Sequence, residues 1–166
     1  MEVSLLTLEV ASKEHIVHYM IRDHCTGVFY GEMHASSSLI PVEDFLFRAW
    51  SQKQEYLFCG APECLSIPET VNKAFPSLRP RLLAWHIEEI KVTSGFQGGI
   101  RDIRTWEDYI RQYASLRDDL KTFAAWQSRT VRLSAYLNGD PKDPASKITK
   151  WNDLVRVINI PRRPTH

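Results

Sequence analysis

His15-Ile16-Val17-His18-Tyr19-Met20-Ile21-Arg22, then Asp23-His24-Cys25-Thr26-Gly27, then Val28-Phe29-Tyr30-Gly31-Glu32-Met33-His34 decides the architecture. Two runs rich in β-branched and aromatic residues flank a short polar stretch that ends in glycine. Such runs fit a pleated sheet, and the Asp…Thr-Gly stretch between them is turn chemistry. Just upstream, Val3-Ser4-Leu5-Leu6-Thr7-Leu8-Glu9-Val10 reads as another strand. Connections this short join neighbouring strands, so residues 3–34 predict an antiparallel meander of three strands. His15 and His18 lie three apart on one strand and face opposite sides of it, which argues against a shared metal.

Beyond the meander the period changes from two to 3.6. Pro41 starts a helix with Val42, Phe45, Leu46 and Ala49-Trp50 on one stripe. Cys64-Leu65-Ser66-Ile67 reads as a short buried strand. Glu69-Thr70-Val71 opens a second helical stretch, which Pro76 and Pro80 break or restart. Glu89 to Thr93 reads as a fifth strand. Ile103, Trp106, Ile110, Tyr113 and Leu116 mark a long amphipathic helix, and 118–137 a further one, stopped by Asn138-Gly139-Asp140-Pro141. Ser146 caps a last helix running to about Ile158. The order βββ-α-β-α-β-α predicts an α/β domain with a mixed sheet covered on both faces.

The 166 residues suit a single domain, residues 1–166, with a core at 1–116 and a helical extension and start of a linker at 117–166. No apolar run approaches the ~18 residues of a membrane span, and no signal-peptide pattern opens the chain. A cytoplasmic location is the expectation. Cys25, Cys59 and Cys64 form no disulfide framework. Cys59 and Cys64 lack the second pair of a zinc finger and read as ordinary thiols near a turn. The net charge of +1 hides an asymmetry. Residues 1–70 hold four Lys/Arg against ten Asp/Glu, whereas 127–166 hold eight Lys/Arg against three Asp. The basic end is either a solvated helical face or a track for a phosphate backbone.

One further stretch carries a chemical hypothesis. Ser94-Gly95-Phe96-Gln97-Gly98-Gly99-Ile100-Arg101-Asp102 is a glycine-rich loop that runs into a helix and ends on a carboxylate. Together with the element order, it makes the chain resemble the catalytic core of DDE-type integrases and transposases, a ribonuclease H-like fold, over roughly residues 3–115. The resemblance implies a mixed five-stranded sheet. It also assigns places to specific residues. Glu9, in Leu8-Glu9-Val10-Ala11, stands where the family's first-strand Asp would be. Gly60-Ala61-Pro62-Glu63-Cys64-Leu65-Ser66-Ile67 matches the approach to the second acid, where Pro68 stands with Glu69 beside it. Gly99-Ile100-Arg101-Asp102 has the spacing of the family's Gly-x-x-Glu. The 58 residues between Glu9 and Pro68 and the 33 between Pro68 and Asp102 suit that pattern.

Enzymes of this family join and cut phosphodiesters with two divalent ions about 3.5–4 Å apart. The resemblance therefore implies Mg²⁺ or Mn²⁺ held by hard oxygen ligands, with Glu9, Glu69 and Asp102 as candidate catalytic and metal-binding residues. Each departs from the family pattern. Glu9 is one methylene longer than Asp, Pro68 carries no donor, and Asp102 is one methylene shorter than Glu. Each also has an ordinary reading: Glu9 as a surface acid on a strand, Glu69 and Asp102 as acids complementing a helix N-terminus. The resemblance further implies DNA as partner and a homodimer, without a membrane. Three functions remain open at this point. They are an integrase or transposase core acting on DNA with atypical ligands, an inactive relative serving DNA binding or protein assembly, and an unrelated job on the same fold.

Overall fold

A computed structural model describes residues 2–9, 15–52, 59–90, 108, 132 and 135–158, with the backbone alone for 2–9, 15, 16 and 155–158. Three strands open the chain: β1 (Glu2–Glu9), β2 (His15–Arg22) and β3 (Phe29–Ala35). β1 and β2 pair antiparallel from Glu2↔Arg22 to Glu9↔His15, and β2 and β3 from Ile16↔Ala35 to Arg22↔Phe29. The meander expected from sequence is present, each boundary within one residue. Its second turn is built as the residues suggest. Asp23 Oδ2 accepts from the Thr26 amide and hydroxyl, both at 2.8 Å, and Gly27 takes φ +74°. A side chain oxygen thus substitutes for a backbone acceptor, and glycine supplies the left-handed turn residue.

Helix α1 (Val42–Trp50) follows a 3₁₀ turn at Ser36–Ser38. It buries Val42, Phe45, Leu46 and Ala49, the stripe read from sequence, while Pro41 sits at its N-cap. β4 (Cys64–Ser66) then pairs parallel to β1 at Glu2↔Ser66. Two short helices, α2 (Glu69–Ala74) and α3 (Leu78–Ala84), lead to β5 (Glu88–Ile90), which pairs parallel to β4. Pro76 falls in the break between the helices. Pro80 lies in the first turn of α3, where no intrahelical amide bond is lost. The strands lie in the order β3-β2-β1-β4-β5. The last described element is α4 (Lys147–Ile158), capped by Ser146, whose Oγ accepts from the Thr149 amide at 3.2 Å. The expected helix over 103–116 lies outside the described residues except for Asp108, which is helical.

One face of the sheet carries the main core. Tyr19, Ile21 and Tyr30 pack against Phe45 and Leu46 of α1, with Leu65, Val71, Leu78, Leu82, Ile148 and Trp151 in the same cluster. Tyr19 stacks on Phe45 at 5.1 Å between ring centroids, and its hydroxyl donates to the Ile40 carbonyl at 2.7 Å. The opposite face is buried too: His18, Met20 and Met33 are fully enclosed. There Gly31 leaves room for the His18 ring, since a Cβ at Gly31 would lie 2.8 Å from His18 Nε2. Although β3 ends the strand order, every residue of it is buried. Asn138 covers part of its outer edge. Its amide donates to the Phe29 carbonyl at 2.8 Å and accepts from the Phe29 amide at 3.1 Å, completing the ladder as another strand would.

Candidate functional site

The candidate second ligand position sits where β4 ends. Pro68 is the N-cap of α2, with extended backbone (φ −60°, ψ 145°), and its carbonyl accepts from the amides of Val71 at 3.0 Å and Asn72 at 3.2 Å. Pro68 therefore both stops the strand and starts the helix. Glu69 is the first residue of α2 and faces solvent. Its carboxylate lies 3.7 Å from Arg79 Nη2, but Arg79 makes its short contacts elsewhere, with Nε donating to Glu89 Oε2 at 2.8 Å. Asn72 also donates to Glu89, at 2.9 Å. Glu89 therefore has the better-built surroundings, and Glu69 sits at the margin of its neighbour's ion pair.

The register decides what can meet across β1 and β4. Glu2 is level with Ser66, so Glu9 lies seven residues further along β1, while Glu69 lies three residues beyond Ser66. At about 3.3 Å per residue, Glu9 is ~23 Å along the strand direction and Glu69 at most ~10 Å. Continuing that single pairing by two residues would bring Ser4 level with Pro68, beyond the end of β4. The register thus sets Glu9 and Glu69 apart rather than together. Glu9 ends β1 opposite His15. Asp102 and the glycine loop from Ser94 lie outside the described residues. Among the described residues no group of three or more His, Cys, Asp or Glu is arranged to hold a metal ion. Cys25, Cys59 and Cys64 are free thiols. Two of the three candidate ligands, the Glu9 side chain and Asp102, lie outside what the structure describes.

The carboxylate with a fully built environment is another one. Glu32 on β3 is 4% exposed. Its Oε1 accepts from Tyr30 Oη at 2.7 Å and Arg48 Nε at 2.9 Å. Its Oε2 accepts from His34 Nε2 at 2.9 Å and Arg48 Nη2 at 2.7 Å. Burial pushes the Glu32 carboxyl up, but the hydrogen bonds from His34, Arg48 and Tyr30, with the Arg48 charge, outweigh it and hold the group at about 2. Glu32 is therefore ionised, and both oxygens are occupied by donors. The same carboxylate pushes the Tyr30 hydroxyl further up, adding to burial. On the other face, burial and then the charge of His34 lower His18 to about 3, so its ring is neutral. This cluster ties the β3 edge to α1 and leaves no open coordination position for a metal or substrate. A signal for it stands in the sequence: Glu32 and His34, two apart in a strand, point to the face that Tyr30 shares with the core.

The HTLV-2 integrase catalytic core domain in complex with magnesium superposes in its trimeric form with a TM-score of 0.60, covering 91% of this chain and 92% of that one. Its dimeric form gives 0.56, covering 82% and 83%. The fold is integrase-like. Sequence identity to both forms is 11%, so the likeness is one of integrase-like architecture. No family model matches the chain, and no curated protein does. No helix among the described residues is long and apolar enough to cross a membrane.

Proposed function

We propose that this chain is an integrase- or transposase-core-like domain of DNA integration or recombination machinery, on a ribonuclease H-like sheet, that binds DNA without a competent two-metal site. The supporting observation is the β1–β4 register. Glu2 is level with Ser66 at the end of β4, so two residues further on Ser4 and Pro68, the N-cap of α2, fall at one level. A hydroxyl and a ring without a donor at that level are poor ligands for a hard divalent ion, which supports the reading. Duplex binding and protein assembly are the roles left to such a fold, and the basic residues of 127–166 favour the first. The competing reading gives Glu9, Glu69 and Asp102 to two Mg²⁺ or Mn²⁺ ions, and with them phosphodiester chemistry.

Two assays on the full chain divide these readings. Fluorescence anisotropy with a labelled duplex should show binding whose affinity falls linearly with the logarithm of salt concentration, because bound cations replace counterions. Nicking and strand joining with Mn²⁺ should stay at background and be the same for the wild type and Asp102→Asn. Mn²⁺-dependent cleavage abolished by Asp102→Asn would establish the competing reading. Binding that is absent, or insensitive to salt, would remove DNA from the proposal and leave protein assembly.

A further inference from the structure

We draw no further inference here: the strongest candidate, the groove between the start of α1 and the α2–α3 break with Phe47 and Trp85 in its wall, carries nothing, because nothing among the described residues shows what covers it.

Discussion

Two carboxylates on this sheet show what a built site looks like and what its absence looks like. Glu32, on β3, is buried and receives donors from a tyrosine, a histidine and an arginine fork. Glu69, after β4, is exposed and lies 3.7 Å from an arginine held more closely by Glu89. In an integrase-like fold the second position is where chemistry would be sought, yet the surrounding residues organise the first. Carboxylates that hold metals need neighbours that fix them and an open side. Glu32 has the neighbours and no open side, while Glu69 has the open side and no neighbours that fix it. The well-organised acid is structural, and its work is to fasten α1 to the end of the sheet.

One of the two largest expected effects follows from breaking that fastening. Glu32→Gln removes the charge that Arg48 and His34 surround and should cost about 2 kcal/mol, since the buried carboxylate's hydrogen bonds are weakened while the half-exposed Arg48 is rehydrated. Urea denaturation would measure it. The same group sets part of the acid limb. Its folded value of about 2 lies below the ordinary 4.5, so its stabilisation is complete above pH 4.5 and is lost as pH falls from there towards 2. His18, lowered from 6.5 to about 3, must take up a proton on unfolding, so its stabilisation is lost as pH falls from 6.5 towards 3. Stability profiles of the Glu32→Gln chain should therefore keep their slope between pH 6.5 and 4.5 and lose much of it below. An unchanged profile below pH 4.5 would break the contrast drawn for Glu32.

An equal effect and smaller ones sharpen it. Asn138→Ala strands the Phe29 amide and carbonyl at the β3 edge and should cost about 2 kcal/mol. Hydrogen exchange should show the loss concentrated at Phe29. Gly31→Ala drives a methyl against the His18 ring and should cost roughly 1–2 kcal/mol, because His18 has no free space to yield into. His18→Ala in the same chain should recover part of it. At the bottom of the scale, Glu69→Gln should leave the denaturation midpoint unchanged within error, because an exposed pair at 3.7 Å is solvent-screened. A marked shift would mean that Glu69 is organised after all.

Much of the fold is legible in the sequence because local physics writes it there. The strand alternation of 15–22, the Asp-Thr-Gly turn, the α1 stripe, the Pro76 break and the Ser146 cap are each decided by a few adjacent residues, and each stands where they place it. The candidate site is less legible because it depends on an offset between strands far apart in the chain. Spacing from Glu9 to Pro68 looks suitable for a first and second acid. It says nothing of how β1 slides against β4, which the intervening helix and loops determine. The observed pairing sets Glu2 level with Ser66, the last residue of β4, and Glu9 at the far end of β1. The Asn138 clamp was hidden for a similar reason: it joins residues 109 positions apart. Asn138-Gly139 reads as a helix stop, and Gly139 does take φ +90°, but nothing local reveals that the amide closes a sheet edge.

We propose that this integrase-like fold carries no two-metal site assembled from Glu9, Glu69 and Asp102. Crystals of the full chain soaked in Mn²⁺ and measured for anomalous scattering test it most directly. The expected map has no manganese pair between Glu9, Glu69 and Asp102, with the Glu9 and Glu69 carboxyl groups more than ~8 Å apart, as the strand rise requires. Two peaks about 3.5–4 Å apart, ligated by those three residues, would contradict it.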